Sequence, residues 1–157
     1  MERKMKIITM MEVENCLKSK LLPVKETGLG YHINKNIVIL NKAIKEHREL
    51  LPVLQEPFIV KDENGEKQLF KLKQEGQGLA LFLDEEGNKV KATKEDKLKD
   101  SIYDVENPDF QEVVGKWEKD EITVDLFDLP KEKVDECIEN GKFDGVDITP
   151  LLGILID

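Results

Sequence analysis

The side chains from which most nucleophilic and acid–base sites are built are scarce in this chain. Serine occurs only as Ser19 and Ser101, cysteine only as Cys16 and Cys137, and histidine only as His32 and His47. Neither serine stands in a nucleophile-elbow sequence. There is no Cys-x-x-Cys, His-x-His or His-Glu-x-x-His, so a structural or catalytic zinc is not expected. The two histidines fall on one predicted helix, roughly 22 Å apart along its axis, too far to share an ion. Gly28-Leu29-Gly30 lacks the third glycine and the preceding parallel strand of a dinucleotide site, and no Walker sequence occurs. The acidic turns Asp62–Glu66 and Asp84–Asn88 carry glycine at their fourth position, not the sixth that a calcium loop needs. No apolar run approaches the ~20 residues that span a bilayer, and the one after the basic start is too short for a secretory leader. With only two thiols, a reducing compartment is expected.

What remains of enzyme chemistry is fragmentary. Cys16 could meet a histidine of the second predicted helix, but a buried cysteine beside a core histidine is the commoner arrangement. Pro108-Asp109 and Glu95-Asp96-Lys97 supply the parts of a metal-dependent nuclease motif in reversed order. The expectation is no enzyme, no cofactor and no metal, with a nuclease or hydrolase as the least favoured reading.

Charge, by contrast, is abundant and sorted. The 157 residues hold 24 basic and 33 acidic side chains, a net −9. Residues 1–52 carry 10 basic and 6 acidic, residues 53–105 carry 9 and 12, and residues 106–157 carry 5 and 15. Folding does not require such segregation, so it suggests ends that face different neighbours. Lys18, Lys20, Lys25, Lys35, Lys42, Lys45 and Arg48 could form a local basic face, or the solvated side of two helices. Glu118, Asp120, Glu121, Asp125, Asp128, Glu132, Asp135, Glu136 and Glu139 could steer onto a basic protein partner. So acidic a last third disfavours direct nucleic-acid binding. The apolar end, with Leu151, Leu152 and Leu155, must be covered by the chain's own core or by a partner's groove.

The pattern predicts an α+β protein forming a single domain over 1–157. Thr9-Met10-Met11-Glu12 has capping-box spacing ahead of a helix over 10–20. Ile33, Ile37, Leu40, Ile44 and Leu51, with His47 among them, form the stripe of a second helix over 24–51, stopped by Pro52; the two make an antiparallel pair. Two hairpins follow, Pro57–Val60 with Gln68–Leu72 around Asn64-Gly65, and Leu79–Leu83 with Lys89–Ala92 around Gly87. Together they predict an antiparallel meander with a type I′ turn at Asn64-Gly65. Residues 94–104 read as loop. A C-terminal helix–strand–helix module follows: Asn107-Pro108 opens a helix carrying Phe110, Val113, Val114 and Trp117, residues 121–127 alternate as a strand, and a helix over 130–140 ends at Gly141.

Leu21-Leu22-Pro23-Val24-Lys25 leading into a long Asn- and Lys-rich helix ending near Arg48, and the run from Phe110 through Trp117 to Glu121-Ile122-Thr123-Val124-Asp125, resemble a family of small uncharacterised proteins of tailed phages of Gram-positive bacteria. The resemblance covers about half of the chain. It implies phage or prophage origin and no reaction. The resulting expectation is a non-enzymatic accessory protein in the host cytoplasm that binds, and modulates or inhibits, a host factor through an acidic surface, with no membrane partner. The alternative is a self-associating virion or assembly component.

Overall fold

The computed structural model describes residues 1–20 and 29–156, with residues 19 and 20 described by their backbone alone. The fold is α+β, with helices and antiparallel sheets. The chain divides into two compact units, Met1–Leu51 with Gly115–Asp157, and Pro52–Val114.

The basic start is a strand. β1 (Glu2–Met5) pairs antiparallel with β5 (Ile122–Asp125), from Glu2 opposite Asp125 to Met5 opposite Ile122. Leu126 extends the ladder by donating its N–H to the Met1 carbonyl at 3.0 Å. Helix α1 (Ile7–Asn15) follows directly. Met10 donates its N–H to the Lys6 carbonyl at 3.0 Å, so the backbone is already helical before Thr9, and the expected Thr9–Glu12 capping box does not form. Ile7, Met10, Val13 and Leu17 are buried at helical spacing, the last on a π-helical turn, Cys16–Lys20. α1 packs against the C-terminal turn Thr149–Leu151. The N-terminal part is therefore strand–helix–helix, not the expected antiparallel helix pair alone.

Helix α2 spans Leu29–Gln55; the predicted first turns over 24–28 lie outside the described residues. Pro52 does not stop it. Near the end of the helix a proline withdraws one donor, from the Arg48 carbonyl, and the helix runs three residues further before Glu56–Phe58 tightens into a 3₁₀ turn. The buried stripe is Leu29, Ile33, Asn36, Leu40, Ile44 and His47.

The unit Pro52–Val114 holds a three-stranded sheet of β2 (Leu69–Glu75), β3 (Gly78–Leu81) and β4 (Lys99–Ser101), in the order β3-β2-β4. This differs from the expected meander of two hairpins. β2 pairs with β3 around the tight turn at Gly76-Gln77, and its other side takes β4, which falls in the segment expected to be loop. The two expected hairpins form as short pairings around Gly65 and Gly87, Lys61 opposite Lys67 and Leu83 opposite Lys89, each with two backbone hydrogen bonds between its arms. Their turns share one construction. The Asp62 carboxylate accepts the N–H groups of Asn64 and Glu66 at 2.9 and 3.0 Å, and that of Asp84 accepts those of Glu86 and Asn88 at 3.0 and 2.8 Å. Only Gly65 and Gly87 take positive φ, +78° and +84°; Asn64 keeps a negative φ, so the turn is not type I′. An aspartate side chain, folded back on its own loop, does the organising.

Helix α3 (Pro108–Lys119) opens as its sequence predicts: the Asn107 side-chain oxygen accepts the Asp109 N–H at 2.9 Å. Helix α4 (Lys131–Glu139) buries Val134 and Cys137 and ends at Gly141, whose φ is +68°.

Chain order and space disagree about charge. The first and last thirds of the sequence join in one unit, whose 15 basic and 18 acidic side chains nearly balance, against 9 and 15 in Pro52–Val114. Arg3 of β1 lies 3.2 Å from the Asp128 carboxylate, and the Met1 amino group 2.8 Å from that of Asp125. The sequence's polarity is thus not a separation of the two charge-bearing ends.

Candidate protein-binding face

Two polar residues interrupt the buried stripe of α2, and each has a dedicated partner. Asn36, fully buried, donates its side-chain N–H to the Phe127 carbonyl at 2.8 Å and accepts the Phe127 N–H at 2.9 Å. The amide thus satisfies both backbone groups of the residue two past the end of β5, where the ladder no longer can. His47 makes the second such arrangement, with Trp117 of α3.

The Asn36 clip fixes what the outer side of α2 presents. Tyr31, Lys35 and Val38 recur at helical spacing there, and the Phe127 ring lies beside them. The Lys35 ammonium sits between two aromatic rings, 4.6 Å from the Tyr31 centroid and 4.7 Å from that of Phe127. The His32 ring meets both edge-on, at 5.8 and 6.3 Å. Tyr31, Asn34, Lys35, Val38, Ile39 and Phe127 line an open depression of about 400 Å³. Tyr31 is 61% exposed, Val38 69% and Phe127 40%, so apolar surface is left uncovered here. Exposed cation–π contacts contribute about 0.5–1 kcal/mol each, enough to hold the lysine's direction without burying its charge. The result is a shallow aromatic-aliphatic cradle with one fixed cation at its wall. A second depression is lined by Ile7, Ile8, Met11, Trp117, Glu118 and Lys119.

The nine carboxylates expected to face a partner, Glu118, Asp120, Glu121, Asp125, Asp128, Glu132, Asp135, Glu136 and Glu139, are all exposed. Asp125 and Asp128 already face cations of the N-terminal strand, and Glu136 lies 3.7 Å from Lys133. The apolar end divides. Leu151 and Leu155 are core residues, closed to a partner, whereas Leu152 is 51% exposed. The reason is the 3₁₀ turn at Thr149–Leu151, which carries Leu151 inward against α1 and sends the next residue out.

The Cys16 thiol lies 3.5 Å from the Asp147 carbonyl, while the His47 ring is engaged by Trp117. Asp109 stands in the first turn of α3. Asp96 accepts the Thr93 N–H at 2.7 Å and lies 3.7 Å from Lys71; the Thr93 hydrogen bond, more than the lysine, holds its carboxyl below the ordinary value. Among the described residues no three His, Cys, Asp or Glu side chains are placed to share a metal ion. Nor is any described helix long and apolar enough to cross a membrane.

No family model, no curated protein and no solved structure matches the chain.

Proposed function

We propose that the protein acts by binding another protein rather than by catalysis, as a phage-type accessory factor that modulates a host protein in the bacterial cytoplasm. The observation that carries this is the uncovered cradle of Tyr31, Lys35, Val38 and Phe127, an apolar surface held in shape by a buried amide clip. Exposed apolar surface is costly in water and is typical of recognition sites. Asp125 and Asp128, which flank Phe127 in sequence, already face the Met1 amino group and Arg3, so the steering charge falls to the other exposed carboxylates. The partner that suits this surface presents an apolar side chain among basic ones, with Glu118, Asp120, Glu121, Glu132, Asp135 and Glu139 steering its approach. The phage origin rests on the resemblance of residues 21–48 and 110–125 alone.

The test is quantitative affinity capture from bacterial lysate with the parent chain and with Val38→Asp, which sets a charge in the cradle while altering an exposed position. A protein retained by the parent and lost at least about tenfold with Val38→Asp is expected. For that protein, reversing Glu132 and Glu139 to lysine slows association and flattens its salt dependence. Identical retention by parent and Val38→Asp overturns the reading.

A further inference from the structure

We propose that β3 is a self-pairing edge, through which two copies of the chain join their three-stranded sheets into one continuous six-stranded sheet. The inference stands apart from the cradle on α2 and holds whichever partner that surface takes.

β3 is the outermost strand of its sheet. Proteins guard such edges with charge or proline, because unpaired backbone groups template association. The other edge strands of the described residues obey this rule: β1 carries Arg3 and Lys4, β4 carries Lys99 and Asp100, and β5 carries Asp125. β3 carries none. The whole stretch Gln77 to Leu83 is uncharged, in a sequence 36% charged. Leu79, in its middle, is 54% exposed.

The phase of the ladder decides which groups are offered. Phe82 donates its N–H to the Lys71 carbonyl at 2.9 Å, and Gly78 and Ala80 stand opposite Glu75 and Lys73. Antiparallel bonding alternates, so Gly78 and Ala80 turn their backbone groups toward β2, Phe82 gives β2 its N–H while its carbonyl accepts the Val90 N–H at 3.2 Å, and Leu79 and Leu81 turn theirs away. A second β3 laid antiparallel about an axis through Ala80 brings Leu79 opposite Leu81 of the second copy, twice. Both are outward-bonding positions, so four N–H···O=C bonds form with no slip in register. Ala80 then meets itself at the axis, where the Cα atoms come within about 4.5 Å and a small side chain fits. Phe82 falls opposite glycine, and the four leucines share one face of the joined sheet. The match of large to small and of outward group to outward group is what favours a second copy over a foreign strand. The two-fold axis also closes the assembly at a dimer.

The test uses the full chain. Ala80→Cys places two thiols at the axis, within disulfide reach, whereas Gln77→Cys on the same edge places them about 20 Å apart. Mild oxidation is expected to give a covalent dimer from Ala80→Cys, and none from Gln77→Cys or from the parent chain. In sedimentation equilibrium the parent shows a concentration-dependent dimer. Leu79→Pro, which removes an outward N–H and no bond to β2, raises its dissociation constant at least about tenfold. If circular dichroism shows Leu79→Pro misfolded, Leu79→Lys takes its place. A monomeric mass up to about 1 mM overturns the proposal. So does cross-linking of Gln77→Cys as fast as Ala80→Cys, or a dimer that both Leu79 variants leave intact.

Discussion

His47 and Trp117 hold each other reciprocally. The His47 Nε2 donates to the Trp117 carbonyl at 2.8 Å, and the Trp117 indole N–H donates to the His47 carbonyl at 2.7 Å. Their rings stack with centroids 4.8 Å apart and planes 9° from parallel. Each residue thus satisfies the other's backbone and covers its ring, which lets a polar imidazole sit in the buried stripe of α2.

Trp117 is the only tryptophan, so its near-ultraviolet circular dichroism reports this arrangement alone. His47→Phe keeps a stackable ring but leaves the Trp117 carbonyl without its donor, and is expected to cost about 1–3 kcal/mol. His47→Ala removes the stack as well, costs about 2–4 kcal/mol and abolishes the tryptophan signal. Urea titration followed by far-ultraviolet circular dichroism gives the energies. An unchanged midpoint for His47→Ala would show that the pair is ornamental.

The end of the chain offers a sharper contrast between neighbours. Leu151 and Leu155 are 0% and 2% exposed, Leu152 51%. Alanine at either buried position should cost about 2–5 kcal/mol, whereas Leu152→Ala should stay within about 0.5 kcal/mol. Equal effects at Leu151 and Leu152 in the same titration would mean that the terminal turn does not hold this register.

Asp96 gives the fold a pH dependence with a clear physical cause. Its folded-state carboxyl is held below 3.8, first by the Thr93 N–H, with the Lys71 charge adding to it. A depressed carboxyl stabilises the fold above its unfolded value and ceases to do so as pH falls through its folded one. The Thr93–Lys99 segment should therefore tighten above about pH 4 and loosen below it. Carboxyl-carbon NMR should place the Asp96 midpoint below those of exposed aspartates, and Thr93→Pro, which deletes the donor, should raise it. A midpoint unmoved by Thr93→Pro would assign the shift to Lys71 instead.

Elements decided by near neighbours were legible in the sequence. Asn107-Pro108 announced α3 because cap and helix are adjacent, and Gly141 marked the end of α4 for the same reason. β1 was not legible: Glu2–Met5 has no alternation of its own, and becomes a strand because β5 lies beside it, some 120 residues later. The sheet order was hidden similarly. Asn64-Gly65 reads as a hairpin turn, yet the longer ladder forms across Gly76-Gln77, from Glu75 opposite Gly78 to Leu72 opposite Leu81. At the candidate site, the exposed carboxylates were readable one by one, but the cradle was not. An asparagine in an apolar stripe gives no hint that it will clasp the backbone of Phe127, and without that clasp Tyr31 and Val38 are ordinary surface residues.

The pairing of β1 with β5 also sets an order of events on the ribosome. The unit containing the amino-terminal strand cannot close until the last third of the chain has been made, whereas every residue of Pro52–Val114 is present well before that. At about 5–20 residues per second, roughly 2–8 s separate the synthesis of Val114 from that of Ile156. During that interval α1 and its apolar stripe wait for the C-terminal partners that bury them. Chaperone dependence should therefore concentrate at the beginning of the sequence rather than at its centre.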